Sequence, residues 1–267
     1  MKALVKKIVP KPIVALARDV VARSKIRRRP KQPFYAGDRR SVLQCVVAYN
    51  RFGGYCVPLS SSHRPAAQSI LAGDVWEPET IALLCGMRAD GDIVHAGTYF
   101  GDFLPALAAS RGAGKKVWAF EPNPENFRCA FATKHINDLT NVELANAGLG
   151  DRRGTLALVT SDRNGKALGG GSRFIAEGTE LYETKTVDVV TVDESVPSER
   201  EVAAIHFDVE GFERQALTGS MQTILRCKPS LVLETLPDES WLIEHLYPLK
   251  YRISARANAN VILTADR

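Results

Sequence analysis

The sequence predicts a doubly wound α/β domain: a mostly parallel sheet with helices on both faces. Three observations carry that prediction. From residue 91, short apolar runs alternate with helical patterns, the β-α-β rhythm of a parallel sheet. A turn with glycines at 97 and 101 follows the first run. An acid, Glu121, ends the second run about twenty residues further on. In such sheets ligands bind beyond the carboxyl ends of the strands, and every motif considered below falls at such an end.

Taken in order, residues 92–96 read as a strand, 97–101 as a turn and 103–110 as a helix. A second strand covers 116–120, a helix 124–137 and a third strand 142–145. After a glycine-rich insertion come a strand at 205–209, one helix over 212–225, a strand at 231–234 and a helix at 238–246. Two late strands, 251–254 and 261–264, close the domain of residues 91–267. Residues 41–90 read as an entry segment of short helices or strands around Phe52-Gly53-Gly54-Tyr55. A helix there begins at Asp74 or Glu77, with Pro78 in its first turn.

Residues 1–40 form a basic arm. They hold 13 Lys/Arg against 2 Asp/Glu, a balance of +11, while the rest of the chain carries −6. The pI therefore reflects the arm and gives no sign of a nucleic-acid-binding domain. Ile13, Leu16, Ala17, Val20 and Val21 recur at helical spacing, ahead of a basic run from Lys25 to Lys31. One reading is an amphipathic helix resting on an anionic membrane. The other is a docked helix followed by a solvated linker. Five scattered cysteines with no C-x-x-C pair fit a reducing, cytoplasmic setting with at most peripheral membrane contact. No apolar run approaches a membrane span, and no secretory signal opens the chain.

Four stretches carry chemistry. His95-Ala-Gly97-Thr-Tyr99-Phe-Gly101-Asp102 lets the backbone turn sharply and come close to a ligand. It is neither the G-x-G-x-x-G of a dinucleotide site nor a phosphate loop. Glu121, in Phe-Glu-Pro-Asn123-Pro, can accept hydrogen bonds from both hydroxyls of a ribose; otherwise it is an exposed acid before a turn. His206-Phe-Asp208-Val-Glu210-Gly-Phe-Glu213 places carboxylates at a strand end. They suit substrate positioning, proton acceptance or a divalent cation, or else cap the next helix. Asp208 and Glu210 share a face if the strand continues to Glu210. Glu234 ends a further apolar strand, as a site-rim acid or a surface charge.

In this order the stretches resemble the FkbM family of S-adenosylmethionine-dependent methyltransferases. The likeness spans about residues 91–235 and is most specific in Phe120-Glu-Pro-Asn-Pro-Glu-Asn-Phe127 and Asp208-Val-Glu-Gly211. It includes Asn146-Ala147-Gly-Leu149 and Val232-Leu-Glu234. The resemblance implies a class I methyltransferase fold with a seven-stranded sheet and an N-terminal helical extension. It also implies O-methylation, of a glycan sugar or a natural-product hydroxyl, with S-adenosylmethionine as cofactor. His95, Gly97, Tyr99, Gly101, Glu121, Asn123, Asn146 and Ala147 are then the cofactor-site candidates. Asp208 is the first choice for the base, with His206 or Glu210 second. Glu234 and Arg173 are expected near the acceptor, and the stretch from Asn164 to Arg173 is either a covering loop or a plain surface hairpin.

Two positions depart from the family pattern, whose first-motif Asp is His95 here and whose Lys is His206. Strand order makes these neighbours, so a His–His pair is expected in place of an ion pair. It is a compensated swap, or a metal site or base with Asp208, or a lesion of cofactor binding. Two other readings stay open. One is a non-catalytic membrane-peripheral protein of a glycan-assembly complex. The other is a nucleotide-dependent oxidoreductase. The expected partner is a small-molecule or glycan acceptor with a free hydroxyl, with no nucleic acid.

Overall fold

The computed structural model describes residues 42–175 and 184–265. The chain divides into two units, Met1–Val42 and Leu43–Arg267. The basic arm and its amphipathic helix lie outside the described residues. Among the described residues no helix is long and apolar enough to cross a membrane.

The second unit opens on an antiparallel hairpin, β1 (Cys45–Asn50) and β2 (Gly53–Pro58), then two short helices, α1 (Pro65–Leu71) and α2 (Pro78–Cys85). Part of the entry segment is thus a β-hairpin, and it falls within the same unit as the main sheet. Pro78 sits at the first helical position, where its missing N–H costs nothing.

The main sheet follows the predicted alternation. Its elements are β3 (Asp92–Ala96), α3 (Leu104–Ala109), β4 (Val117–Phe120), α4 (Pro124–Ile136), β5 (Val142–Ala145), β10 (Val202–Phe207), β11 (Ser230–Leu233), β12 (Tyr251–Ala257) and β13 (Asn260–Ala265). The order is β12-β13-β11-β10-β3-β4-β5. β13 runs antiparallel to β11 and β12, and the other neighbours are parallel. The order reverses between β3 and β10, which opens a cleft at their carboxyl ends.

The central strands β3, β4, β10 and β11 are buried on both faces, so they read as apolar runs. On one face Ile93, Ala204, Val232 and Ile262 meet Ile81 and Leu84 of α2 and Leu104 and Leu107 of α3. On the other, Val94, Ile205, Leu231 and Leu263 meet Leu217, Ile224, Trp241 and Leu242. The helices α5 (Glu213–Thr218), α6 (Met221–Cys227) and α7 (Glu239–His245) supply the latter group. Two predictions at this level need correction. The helix over 212–225 is broken, because Gly219 passes so close to the Gly150 carbonyl that a Cβ has no room. The strand expected at 205–209 ends at Phe207, since Glu210 and Gly211 both take positive φ.

The insertion forms a second sheet, ordered β6-β9-β7-β8, from β6 (Gly148–Leu149), β7 (Gly154–Val159), β8 (Arg173–Ile175) and β9 (Thr184–Val190).

Asp92 ties the amino ends of the strands together. Its fully buried carboxylate accepts from Lys116 N (2.9 Å), Trp118 Nε1 (2.8 Å) and Arg200 Nε (2.7 Å) and Nη2 (2.6 Å). Replacing Asp92 by Asn keeps the shape but loses the charge opposite Arg200. We expect a loss of about 2 kcal/mol in urea unfolding, with an unchanged slope.

Candidate active site

The loop after β3 is shaped by its contact with the loop after β10. Gly97 (φ +84°) lies against the Asp208 carbonyl, where any Cβ would collide with the oxygen. Tyr99 takes φ +51°, a conformation costing a non-glycine residue about 1 kcal/mol or more. Two hydrogen bonds hold it there. Its N–H donates to Glu121 Oε2 at 2.8 Å, and its hydroxyl meets Ser61 Oγ at 2.7 Å.

Glu121 closes β4. Its second oxygen accepts from the Asn123 N–H at 2.8 Å. The residue is 3% exposed. Burial pushes its pKa up to about 8, against the opposing pull of the Asn123 and Tyr99 N–H groups.

Two hollows meet here. The larger, about 190 Å3, is floored by His95 and His206 and walled by carboxylates and by Arg64, Trp76 and Tyr99. The smaller is a narrow slot of about 20 Å3 between Ala96, Phe120, Pro122, Ala147, Leu149 and Phe174, with Glu121 at its edge. Gly97, Gly170 and Asp208 border both. The segment from Thr160 to Phe174 straps across them. Gly170 packs on the Tyr99 ring, Asn126 Nδ2 donates to the Gly169 carbonyl at 3.0 Å, and Phe174 presses on Gly148.

The larger cavity is acidic. Glu77, Asp102, Asp208, Glu210 and Glu234 line it, and among the described residues Arg64 is its one lysine or arginine. Ligand oxygens of Asp208, Glu210 and Glu234 lie within 4.8 Å of one another. Burial, then the nearby Glu234 charge, holds the Asp208 carboxyl well above its usual range. Glu210 is raised by the same two causes in the same order. Burial pushes Asp102 up to about 7.

The floor is a pair of neutral imidazoles. His95 and His206 are register partners on β3 and β10, and their Nδ1 atoms lie 2.9 Å apart. Both residues are 2% exposed. Burial depresses His206 to about 4 and His95 well below its usual range. The expected His–His pair is present. The three-residue metal grouping is not His95, His206 and Asp208: the imidazoles spend Nδ1 on each other, and the group spaced for a cation is Asp208, Glu210 and Glu234.

His95, Gly97, Tyr99, His206, Asp208, Glu210 and Glu234 therefore gather around the larger cavity, and Glu121 and Ala147 around the slot. Four expected residues line neither. Gly101 packs behind the loop against Leu104 and Thr133. Asn123 caps α4 by accepting from the Glu125 N–H (3.1 Å) and ties down the strap through Ser172. Asn146 is exposed and donates to the Glu121 carbonyl at 2.8 Å. Arg173 is exposed on β8, near enough to Glu210 to act on its charge. The stretch 164–173 is no plain surface hairpin, because Gly169 and Gly171 are buried. Sequence reasoning overlooked Arg64, Trp76, Glu77 and Asp102 as site residues. The Trp-Glu pair before Pro78 was the available signal; nothing local marked Arg64.

A family model described as the methyltransferase FkbM domain matches residues 95–251, more than half of the chain. Among solved structures the chain is similar to the methyltransferase FkbM of Methylobacillus flagellatus KT. The identity is 18% and the TM-score 0.45, over 66% of this chain and 44% of that one. This chain thus spans less than half of that protein's length. It is also similar to a SAM dependent methyltransferase from Aquifex aeolicus, at 14% identity and TM-score 0.40 over 75% and 92% of the two chains. A third is the SAM-dependent O-methyltransferase of Thermotoga maritima, at 12% identity and TM-score 0.40 over 80% and 74%. No curated protein sequence matches.

Proposed function

The chain belongs to the FkbM methyltransferase family, and on that premise we propose that it methylates a hydroxyl of a carbohydrate acceptor, with S-adenosylmethionine as the donor. The observation that carries the reading is the buried Glu121 carboxylate between an apolar slot and an acid-lined cavity. The slot's apolar walls are of the kind a flat heterocycle takes, but at about 20 Å3 they must part to admit one; Glu121 suits the hydroxyls of a ribose, and the acidic cavity suits a cationic centre. The donor residues thus fit the cofactor's chemistry, which is an electrophilic methyl on a sulfonium.

The chain's own residues do the rest. Asp208 accepts the acceptor's hydroxyl proton; a carboxyl held above its usual range is a stronger base once ionised. Trp76 offers an aromatic face beside Glu77 and Glu234, a combination suited to a sugar ring. The strap from Thr160 to Phe174 excludes water from the reacting pair. Arg64 faces the carboxylate of the cofactor's amino-acid end. Arg64→Ala should weaken S-adenosylhomocysteine about tenfold, and methylthioadenosine, which lacks that end, not at all.

The direct test is methyl transfer from tritiated S-adenosylmethionine into a panel of glycans and polyols. The reading expects label in a base-stable ether on a sugar. Label appearing only in carboxyl esters or amines would overturn the O-methylation of a sugar.

A further inference from the structure

The acidic cavity does not end at its own rim. Trp76 and Glu77, which line it, also line a second hollow, a groove of about 740 Å3 among the described residues. The groove runs on from them between Arg51 in the β1–β2 turn, Asp74 after α1, Glu79 in the first turn of α2 and Asn258 in the β12–β13 turn. The cavity alone, at about 190 Å3, falls below the roughly 300 Å3 at which small-molecule sites begin, whereas the groove lies well inside that range. The cavity also has to hold the sulfonium beside the hydroxyl that attacks it. An acceptor larger than one ring therefore extends beyond the cavity, and the groove is where the walls continue.

The groove's walls are tied in place. The Asp74 carbonyl accepts from Asn50 Nδ2 at 3.0 Å, and the Asp74 N–H donates to the Ser69 carbonyl at 2.9 Å. Asn258 Nδ2 donates to Thr80 Oγ1 at 3.1 Å, and its amide oxygen remains to accept. The Arg51 guanidinium lies 4.9 Å from the centre of the Phe52 ring. Glu77, at the junction, takes φ +45°, strained for a non-glycine residue, while its Oε2 accepts the Thr80 hydroxyl at 2.9 Å. Trp76 is half-buried, packed on the core by one side and offering the rest to a ligand. Around it stand acceptors (Asp74, Glu79 and the Asn258 oxygen) and a donor, Arg51. Sugar hydroxyls both donate and accept, so a glycan can meet both kinds. The acids outnumber Arg51, which favours a neutral chain over an anionic one. A lipid tail needs unbroken apolar walls, and these charges interrupt them.

We propose that the groove binds further sugar units of the acceptor, so that the enzyme methylates one residue of a neutral oligosaccharide chain and not a lone sugar. The reacting unit lies in the cavity against Trp76, and its neighbours lie along Asp74, Glu79, Arg51 and Asn258. These four determine specificity and touch no reacting atom. The inference rests on the carbohydrate acceptor argued above and adds its size.

The test is the initial rate of methyl transfer from tritiated S-adenosylmethionine to malto-, cello-, manno- and chito-oligosaccharides, each as one to four units. In a series that takes label, kcat/KM should rise about tenfold from one unit to three, the worth of one or two neutral hydrogen bonds. Asp74→Ala combined with Arg51→Ala should remove that rise. Both side chains are exposed, so the double variant should fold, and an unchanged Tm checks it. Should it fail to fold, the length dependence of the unmodified protein decides. Equal kcat/KM for one unit and four, or a rise that survives in the folded double variant, overturns the groove and leaves the sugar methyltransferase standing. A rise with the octyl glycoside of the single sugar, and none with longer chains, overturns it in favour of a lipid-linked acceptor. Label in no member of any series overturns the carbohydrate acceptor itself, and the groove with it.

Discussion

Glu121→Gln should weaken S-adenosylhomocysteine on the order of 100-fold by calorimetry, the largest binding effect expected of any single substitution here. An ionised carboxylate that accepts from a ligand is worth about 1.5–3 kcal/mol per hydrogen bond. Here the same group also receives the Tyr99 and Asn123 N–H groups, at 2.8 Å each. Glutamine keeps one acceptor oxygen, so one of those N–H groups is left buried beside an amide NH2. The effect carries a pH signature. Burial holds the Glu121 carboxyl at about 8. Only the ionised form accepts with both oxygens, so affinity should fall by up to tenfold per unit as pH drops below about 8. The glutamine variant should lack that slope. Equal affinities for the two proteins across this range would remove Glu121 from the cofactor site.

Asp208→Asn should lower kcat on the order of 100- to 10,000-fold, the range of a lost general base, while changing S-adenosylhomocysteine affinity little. The variant should also be more stable, and the sign follows from the shift. The folded carboxyl lies well above its usual value because of burial and Glu234. The folded form therefore binds the proton more tightly than the unfolded chain, so ionisation costs stability as pH rises through the folded value. Asparagine removes that cost at neutral pH. A lower kcat with a higher Tm separates a reacting role from a structural one. Lower kcat with lower Tm would point to a folding defect.

The contrast between Asp208 and Asn146 shows what the sequence could disclose. Asp208 and Glu121 were legible because each is a polar residue ending an apolar strand, and strand ends in a parallel sheet converge on one cleft. The sheet itself was legible for the same reason: strands covered on both faces cannot hide their apolar runs. Asn146 and Asn123 stand equally close to strand ends, yet they bind backbone and cap a helix. Asparagine serves turns as readily as ligands, and spacing cannot separate the two. Gly101 was read with Gly97, but only Gly97 borders the cavity; the other makes room for Leu104. The continuous helix drawn over 212–225 failed on a close approach to Gly150, a residue distant in sequence. Arg64 reaches the site through the packing of the entry segment, which no local pattern encodes.

His95 and His206 were predictable as neighbours from strand order, and the register of β3 against β10 brings their Nδ1 atoms to 2.9 Å.

Calorimetric titration with S-adenosylhomocysteine, with NAD as the control, tests the central claim most directly. The account predicts saturable one-to-one binding of the adenosyl ligand in the micromolar range, no heat from NAD, and loss of the signal in Glu121→Gln. An absence of heat from S-adenosylhomocysteine in folded protein at pH 8 or above, where Glu121 is ionised, would contradict it.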